Sequence, residues 1–512
     1  FREWLKNKYG TLDKLNASWW TGFWSHKYTD WDQIHSPSPQ GECLTTALTL
    51  DWKRFSSEQI TDFCKMEADA LREFSDLPTT TNMMGFFKGV DYNTLKNAVD
   101  IISWDNYPFW HERKDEVPEA VYTSAGNALM RSLKREPFLL MESTPSSVSW
   151  RSHNPLKRPG MHMLSSMQAV AHGADSVQYF QWRKSRGGYE KFHGAVVDHK
   201  NGSDTRTFRE VTEVGKRLEH LSGGIKTFLN RAKAAIVFDW ENWWAVEDTS
   251  GPRQDLDYVK CVTDHYRAFW ECGLDVDFVS MDDDFSGYRL LAAPLNYMYK
   301  KGYSEKVRAF VEAGGTYVTT YFSGIVNETD LCFIGRHPLE DVLGVVSEEM
   351  DAPSKEFENC FDYNGKEYPA YTMCDIVHAK AKTEIYSVYK KDFYKGCPVV
   401  TENAYGSGRA YYLSAESDQR FLSAFYKDVF IKAGLLKEAS SADRILKRLP
   451  HGVTAAKRED ETGRKGLVFV MNFNDRQVRL EGIGKQIDAE SGEVYENVLE
   501  MAPFSCTILK LK

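Results

Sequence analysis

The sequence lacks the long apolar segments and paired cysteine motifs that would connect it with a membrane or a structural metal. No apolar run approaches the roughly 18 residues of a membrane span, so we expect no membrane partner. The nine cysteines are an odd number scattered along the chain, and no Cys-x-x-Cys pair occurs. We therefore predict no zinc site within this chain, and reduced thiols that are typical of a cytoplasmic protein.

An excess of positive charge is missing as well. The 512 residues carry a net charge of −9, whereas nucleic-acid and anionic-membrane surfaces need clustered lysine and arginine. No Gly-x-Gly-x-x-Gly motif opens a helix, so we predict no dinucleotide cofactor. The chain shows no signal peptide, and it opens at Phe1 rather than Met, inside a helical pattern. We expect it to begin within a longer protein.

Aromatic residues are abundant, with 14 Trp and 26 Tyr. Several form clusters outside clean apolar strands: Ser18–Trp20, Phe23–Trp24 and Trp240–Trp244. Such clusters fit carbohydrate stacking and packed domain interfaces equally well.

Strand-like and helix-like segments alternate over residues 1–225. The predicted strands are Thr79–Met84, Asp100–Tyr107, Pro137–Glu142 and Ser176–Trp182. Helical patterns separate them, and each strand ends in polar or aromatic residues. This is the rhythm of half a (β/α)₈ TIM barrel, whose active residues lie at the carboxyl ends of its strands. Four such units cannot close an eight-stranded barrel, so we predict the C-terminal half of one.

Two further domains are expected downstream. Residues 226–445 read as a doubly wound α/β domain, with strands at Ala234–Asp239, Leu290–Ala293 and Thr316–Thr320 and a helix at Tyr258–Glu271. Short alternating runs over 446–512 predict a small antiparallel β-sandwich.

Glu142 is the most informative single residue. The apolar run Pro137–Met141 ends on its carboxylate, and Trp150 and Glu190–His193 follow in later loops. An acid at a buried strand end can attack an anomeric carbon, and a tryptophan face can stack on a pyranose ring. A capped or salt-bridged strand end explains the same run.

Several stretches together resemble glycoside hydrolase family 42, the family 42 β-galactosidases. The matching stretches are Phe1–Leu5, Tyr9–Leu12, Leu15–Asn16, Phe23–Ser25, Ser103–Pro108, Met141–Ser146 and Glu190–His193. The resemblance spans essentially the whole chain. It implies a retaining enzyme that hydrolyses terminal non-reducing β-D-galactosides through a covalent glycosyl-enzyme.

The resemblance also assigns roles to individual residues. It implies that Glu142 is the nucleophile, that Trp150 lines the sugar site, and that Glu190 and His193 bond galactose hydroxyls as an acceptor beside a donor. It matches Trp24 with an active-site tryptophan. By position, three more residues at strand ends are possible members of the site: Asn82, Tyr107 and Trp182.

The family's general acid/base glutamate and its cysteine-rich zinc cluster are expected upstream of Phe1. Here the one Asn-Glu pair, Asn327-Glu328, is followed by threonine, so it does not match the family's Asn-Glu-Tyr motif. We therefore expect no cofactor in this chain, and no activity of the chain alone on ordinary galactosides.

The implied assembly is a homotrimer, with 226–445 as trimerisation domain and the apolar segment Trp240–Trp244 as part of the contact surface. Two other functions stay open at this point. One is an α-L-arabinopyranosidase or other β-glycosidase, and the other is a non-catalytic carbohydrate-binding remnant.

Overall fold

The structure is a computed structural model that describes residues 1–38, 45–200, 202–225, 228–436 and 449–511. We call 1–225 the N-terminal unit, 228–436 the central unit and 449–511 the C-terminal unit. The predicted boundaries at 225/226 and 445/446 involve residues outside the described ranges. Within those ranges, no helix has both the length and the apolar character needed to cross a membrane.

The N-terminal unit contains a four-stranded parallel sheet with helices between its strands. The strands are paired in chain order and are β1 (Asn82–Met83), β2 (Ser103–Asp105), β3 (Phe138–Glu142) and β4 (Ala174–Val177). The helices are α1 (Arg2–Tyr9), α2 (Leu12–Ser18), α3 (Thr46–Arg72), α4 (Tyr92–Leu95), α5 (Val117–Lys134), α6 (Met161–Ala171) and α7 (Arg206–Ile225). Short 3₁₀ turns lie at Phe23–Ser25, Trp31–Gln33 and Lys96–Ala98.

These strands are shorter than predicted, although each lies inside its predicted segment or overlaps it. Strand β3 ends on Glu142, as predicted.

The central unit is built on a seven-stranded sheet in the order β14-β15-β16-β9-β7-β5-β6. Its strands are β5 (Ala234–Val237), β6 (Val276–Val279), β7 (Leu290–Ala293), β9 (Thr316–Thr320), β14 (Glu384–Val388), β15 (Pro398–Tyr405) and β16 (Gly408–Leu413). Five neighbouring strands of this sheet, β16, β9, β7, β5 and β6, run parallel to one another. Strands β15 and β14 extend the sheet beyond β16 in antiparallel fashion. The helices are α8 (Trp240–Asp248), α9 (Tyr258–Glu271), α10 (Tyr303–Glu312), α11 (Glu340–Leu343) and α12 (Gln419–Lys432).

A second, antiparallel sheet of the central unit was not predicted from the sequence. It has the order β11-β13-β12, with β17 paired to β13, and β8 and β10 form a separate parallel pair. Their bounds are β8 (Met298–Tyr299), β10 (Val326–Asn327), β11 (Val345–Asp351), β12 (Asn359–Tyr363), β13 (Lys366–Ala379) and β17 (Ala415–Glu416), with a 3₁₀ turn at Lys355–Phe357. The doubly wound description therefore covers only the parallel part of this unit.

The C-terminal unit consists of antiparallel strands, in agreement with its alternating sequence pattern. A three-stranded sheet has the order β18-β19-β24, and two ribbons pair β20 with β23 and β21 with β22. The bounds are β18 (Val453–Glu459), β19 (Gly466–Asn472), β20 (Val478–Glu481), β21 (Gln486–Ile487), β22 (Val494–Tyr495), β23 (Val498–Met501) and β24 (Ser505–Lys510).

Two buried arginines join the units. Arg131 on α5 donates to the Val276 carbonyl at 2.7 Å and to Asp277 at 2.8 Å in the central unit. Arg458 on β18 donates to the carbonyls of Val170 and Ala174 and to Asp175, at 3.0–3.2 Å. Buried guanidinium groups are tolerated only when fully bonded, so these bonds fix how the units pack.

Eight of the nine cysteines are described, and all eight are free thiols. Cys43 lies outside the described residues. Among these eight, Cys360, Cys374 and Cys506 are buried.

The expected contact surface at Trp240–Trp244 is wrong. Trp240, Trp243 and Trp244 are buried in the chain's own core. The indole nitrogens of Trp240 and Trp244 donate to the carbonyls of Phe87 and Lys88 at 2.9 and 2.7 Å. Helix α8 thus packs on the loop after β1, which removes its apolar side chains from water without a partner subunit.

We predict that Trp240→Ala lowers the free energy of unfolding by about 3–5 kcal/mol, since it leaves a cavity and an unpaired Phe87 carbonyl. Urea denaturation followed by circular dichroism measures this change. Phe74→Ala, at a fully exposed aromatic on the same chain, should change stability by less than about 0.5 kcal/mol. A stable Trp240→Ala variant with altered molecular mass would instead support the contact surface.

Candidate active site

The parallel sheet of the N-terminal unit brings polar residues from separate segments to one edge. The register pairs Asp105 on β2 with Glu142 on β3, and Asn82 on β1 lies beside Ser103. The Asn82 amide donates to Asp105 Oδ2 at 2.8 Å. Side chains at the carboxyl ends of parallel strands therefore converge here, as the (β/α) rhythm predicted.

Tyr107 holds the carboxylate of Glu142. Its hydroxyl donates to Glu142 Oε2 at 2.6 Å, and the Asn106 amide donates to the Glu142 carbonyl at 2.9 Å. Burial, followed by the bond to the Glu142 carboxylate, raises the pKa of Tyr107 well above its ordinary value. The phenol thus stays protonated and remains a donor, which leaves Glu142 Oε1 as the oxygen not bonded to Tyr107.

Three rings form one wall around this pair. Trp150 stacks on His193 at a centroid distance of 5.0 Å, and Tyr107 meets both rings edge-on at 5.0 and 5.8 Å. Trp150 and His193 therefore lie together against Tyr107, the residue that holds Glu142. Edge-to-face contacts of this kind hold aromatic rings in defined orientations.

His193 differs from its expected role as a donor. Its Nε2 lies 3.0 Å from the Phe180 carbonyl, which can only accept, so Nε2 carries the hydrogen. Burial lowers the pKa of His193, which favours the neutral ring. Nδ1 is then an acceptor, and it is buried with no hydrogen-bond partner among the residues that the structure describes. Leaving a buried acceptor unpaired costs free energy.

Glu190 lies beside the ring wall without a direct bond to it. Its carbonyl accepts from the His193 amide at 2.9 Å. Burial is the main cause of the raised pKa of Tyr107 and of the lowered pKa of His193, and the charge of the Glu190 carboxylate adds to the first shift and opposes the second. The carboxylate is half-buried. Its charge acts on the same two side chains, Tyr107 and His193, as the charge of Glu142, and it can accept from a ligand hydroxyl.

Two predicted residues are not part of this cluster. Trp24 is 67% exposed and stacks on Phe23 at 4.5 Å. Trp182 is also exposed, and its backbone carbonyl accepts a hydrogen bond from the Val197 amide at 2.7 Å. In the described ranges, no ring contact joins either indole to Tyr107, Trp150 or His193.

The loop after β3 is held close to the His193 loop by a glycine. A Cβ on Gly194 would meet Ser146 Oγ at 2.4 Å and Thr144 Oγ1 at 2.5 Å. The Gly194 amide donates to the Ser147 carbonyl at 2.7 Å, and the buried Lys157 ammonium donates to the Thr144 carbonyl. These contacts fix Glu142 relative to His193 although the two are far apart in sequence.

Asp105 is a member of the cluster that the sequence analysis did not single out. It precedes Tyr107 by two residues, a spacing that puts both side chains on one face of a strand, and this signal was available. Burial raises the pKa of Asp105 to about 6; the Asn82 amide opposes this rise and the charge of Glu142 adds to it.

No group of three or more His, Cys, Asp or Glu in the described ranges is arranged to hold a metal ion. Asn327-Glu328 lies in the central unit, where the Glu328 carbonyl accepts from Arg54 at 2.7 Å.

The profile of glycoside hydrolase family 42, described as β-galactosidase, matches residues 1–221. A second profile, the β-galactosidase trimerisation domain, matches residues 232–436. The β-galactosidase BglY of Alicyclobacillus acidocaldarius is 47% identical over 488 residues, covering 93% of this chain and 69% of that protein. The chain belongs to glycoside hydrolase family 42.

Other proteins of family 42 are similar to this chain in sequence and in structure. The β-galactosidase Pbg of Clostridium perfringens is 43% identical and covers 100% of this chain, which spans 75% of that protein. The crystal structure of a β-galactosidase from Rahnella sp. R3 has a TM-score of 0.94 at 46% identity, covering 99% of this chain and 74% of that one. A catalytic mutant of the family 42 β-galactosidase Gan42B from G. stearothermophilus has a TM-score of 0.93 at 41% identity, covering 100% and 75%. The fold is thus a mixed α/β fold shared with these enzymes.

We predict that Asp105→Asn becomes more stable relative to the unsubstituted chain as pH rises from about 4 to about 7. The native pKa of about 6 exceeds the ordinary 3.8. The contribution of Asp105 to the free energy of unfolding is therefore complete below pH 3.8 and is lost as the pH rises through about 6. Asparagine has no such loss. Urea midpoints measured at several pH values test this.

Asp100→Asn is the matched control of opposite sign. Hydrogen bonds from Thr79 lower the pKa of Asp100, so that contribution is present above the ordinary pKa and is lost as pH falls. Parallel pH profiles for the two variants would contradict the assignment of Asp105.

Proposed function

We propose that this chain carries the nucleophile and part of the sugar site of a retaining β-galactosidase. The observation that supports this most is the contact of the Glu142 carboxylate with the Tyr107 hydroxyl at 2.6 Å, at the end of a parallel strand in a family 42 chain. Relatives named as β-galactosidases, at 47% and 43% identity, supply the substrate class.

The proposed chemistry is a double displacement. Glu142 Oε1 attacks the anomeric carbon, the bond to the leaving oxygen breaks, and that oxygen departs with the electron pair. The resulting ester joins Glu142 to the sugar with inverted configuration. Water then attacks the same carbon, the carboxylate leaves, and the second inversion restores the original configuration. The attacking water passes one proton to solvent, and the departed oxygen takes up one proton from solvent. No cofactor is needed for either displacement.

Tyr107 has two tasks in this proposal. Its hydroxyl orients the carboxylate, so that one oxygen faces the sugar and the other is held. It also stabilises the carboxylate when the ester is released, since a charge-assisted hydrogen bond strengthens as charge returns to the oxygen.

The remaining residues hold the sugar. Trp150 offers a ring face, Glu190 offers a carboxylate to sugar hydroxyls, and His193 offers Nδ1 as an acceptor. Trp24 and Trp182 are included among the sugar-binding residues on the basis of their sequence positions alone. Asn82 is included because its amide donates to Asp105.

The proposal includes the architecture. The N-terminal unit would supply strands 5–8 of a (β/α)₈ barrel within domain 1–225, followed by a trimerisation domain over 226–445 and a β-sandwich over 446–512. The match of residues 232–436 to the trimerisation profile supports assembly as a homotrimer.

We also propose that no residue of this chain acts as the general acid. Two observations support this: Asn327-Glu328 lies in the central unit rather than in the Glu142 cluster, and the free oxygen of Asp105, Oδ1, is buried. The chain alone should then act only on sugars whose leaving group needs no proton.

We predict that 2,4-dinitrophenyl 2-deoxy-2-fluoro-β-galactoside labels the 512-residue chain at Glu142. Dinitrophenolate leaves without protonation, and the fluorine slows release of the ester. Intact mass and peptide mass spectrometry measure one added fluorogalactosyl group, whereas lactose, which needs a general acid, should remain unhydrolysed.

Glu142→Gln is the control, since it keeps the shape of the side chain but not the nucleophile, and it should stay unlabelled. Glu190→Gln should still be labelled, but more slowly. If another residue were labelled, or if a folded chain were not labelled at all, Glu142 would not be the nucleophile.

Tyr107→Phe should slow the labelling by about 10- to 100-fold, because the carboxylate loses a charge-assisted hydrogen bond of roughly 1.5–3 kcal/mol. Tyr179→Phe, which removes a hydroxyl that contacts His162 at 3.2 Å, should label at the unsubstituted rate. Equal rates for Tyr107→Phe and the unsubstituted chain would show that the phenol is not needed.

A further inference from the structure

Three lysine and arginine residues of the described chain are buried, and one of them lacks a paired carboxylate. Arg131 is paired with Asp277 at 2.8 Å, and Arg458 is paired with Asp175 at 3.0 Å. Lys157 is 6% exposed and forms no ion pair with any residue that the structure describes. Burial of an unpaired charge is costly, which sets Lys157 apart from both arginines.

The Lys157 ammonium donates to the backbone carbonyl of Thr144, two residues after Glu142. Lys157 belongs to residues 143–160, which we call the β3–α6 loop. Thr144 is buried, and its carbonyl accepts no other hydrogen bond from the described chain. Without the lysine, this buried carbonyl would be left unpaired, at a cost in free energy.

The backbone of Lys157 is fixed by two other segments. Its carbonyl accepts from the guanidinium of Arg206 on α7 at 2.9 Å. The next amide, that of Arg158, donates to Nε2 of His111 in the loop after β2 at 3.0 Å. The side chain of Lys157 therefore reaches Thr144 from a backbone position that α7 and the loop after β2 hold in place.

The two residues that follow Glu142 are anchored separately. The Ser143 hydroxyl donates to the Gln178 carbonyl at 2.8 Å, and the Ser143 carbonyl accepts from the Phe180 amide at 3.1 Å. These bonds tie Ser143 to the segment after β4. The carbonyl of Thr144, the next residue, is held by the lysine alone, so the lysine fixes the direction in which the chain leaves β3.

The charges near the Lys157 ammonium are unbalanced. The charged or titratable groups that act on this residue or contact it are Arg151 on the same loop, His162 on α6, Arg206 and Glu210 on α7, and His193. Glu210 is the only carboxylate among them. Burial, followed by the charge of Arg151, lowers the pKa of Lys157 to about 7, and Glu210 opposes this shift. The ammonium therefore loses its proton in the neutral range.

We propose that Lys157 is a positioning residue whose charged side chain holds the segment after Glu142 where the carboxylate can attack a sugar. This inference rests on the proposed function of Glu142. The lysine acts through the Thr144 carbonyl rather than by touching the carboxylate. A hydrogen bond from an ammonium is charge-assisted, and it weakens when the ammonium loses its proton. Attack should therefore slow as the pH rises through about 7.

The first test is the rate at which 2,4-dinitrophenyl 2-deoxy-2-fluoro-β-galactoside labels Glu142 in the 512-residue chain, followed by intact mass spectrometry. Lys157→Met should lower the limiting rate at saturating reagent by about 10- to 100-fold near pH 6, where the lost bond is charge-assisted. Near pH 9 the deficit should shrink to about threefold or less, because the bond lost there is neutral. The half-saturating concentration should stay unchanged, since the lysine is not proposed to bind the sugar.

Two further variants complete this test. Lys134→Met is the matched control, because its ammonium also donates to a carbonyl, that of Val99 at 2.7 Å, and it should label at the unsubstituted rate. Lys157→Arg keeps a donor that stays charged, so it should recover part of the rate near pH 6 and show no decline near pH 7. Circular dichroism melts establish that each variant folds, and Lys157→Arg decides the outcome where Lys157→Met does not fold.

The second test does not involve the reaction. Trp150 lies on the β3–α6 loop and stacks on His193 at 5.0 Å, so its environment reports the position of that loop. In chains that contain 5-fluorotryptophan, Trp150→Phe assigns its ¹⁹F resonance. We expect this resonance to shift with a midpoint near pH 7 in the unsubstituted chain and not in Lys157→Met. Titration of His193 is common to both chains and cancels in the comparison.

A ratio of labelling rates between the unsubstituted chain and Lys157→Met that does not change with pH would overturn the proposal. So would a Trp150 resonance that titrates equally in both chains. If no variant is labelled but the Trp150 titration still depends on Lys157, the proposed attack by Glu142 fails, whereas the role of Lys157 in holding the loop is supported.

Discussion

The pairing of β2 with β3 in parallel register is the constraint on which the candidate site depends. It places Asp105 next to Glu142, and the chain then continues through Asn106 to Tyr107, whose hydroxyl reaches back to Glu142 Oε2 at 2.6 Å. A shift of one residue would direct Glu142 to the opposite face of the sheet. The carboxylate, its hydrogen-bond donor and its like-charged neighbour therefore share one structural origin.

That origin also sets the surroundings of Asp105. Asp105 is half-buried beside a second carboxylate and its pKa rises to about 6, with only the Asn82 amide in opposition. Glu142 has the Tyr107 phenol as a donor. One strand register thus places a carboxyl with a raised pKa next to a carboxylate that accepts a hydrogen bond from a phenol.

The sequence predicted the elements whose pattern is local. Helix α9 has the predicted bounds Tyr258–Glu271, and β3 ends on Glu142, because a 3.6-residue period and a terminal acid are visible in one segment. Trp150 and His193 were assigned from motifs, and their rings do lie together. The neutral donor state of His193 at Nε2 was not predictable, since it depends on the Phe180 carbonyl from another loop.

Tertiary contacts explain two of the errors. The sequence pattern of an apolar helix such as Trp240–Asp248 is the same whether the helix packs inside its own chain or against a partner. The hydrogen bonds of Trp240 and Trp244 to the Phe87 and Lys88 carbonyls show that it packs inside its own chain. The antiparallel strands between 345 and 416 were missed although β12 and β13 form a hairpin, with Tyr363 opposite Lys366 across Asn364-Gly365, so that this local turn signal was available in the sequence. Asp105 was visible as a strand residue, but its burial beside Glu142 was not.

The burial of α8 has a further consequence for the site. Trp240 and Trp244 hold the carbonyls of the loop that follows β1, and Lys88 in that loop pairs with Glu247 at 2.7 Å. Lys53 on α3 pairs with Asp248 at 2.6 Å, so two segments of the N-terminal unit are fixed by one helix of the central unit. Strand β1, with Asn82, is only two residues long and cannot hold its own position by pairing alone. The central unit therefore helps to set the Asn82–Asp105 contact, and with it the environment of Glu142, without contributing a residue to the cluster.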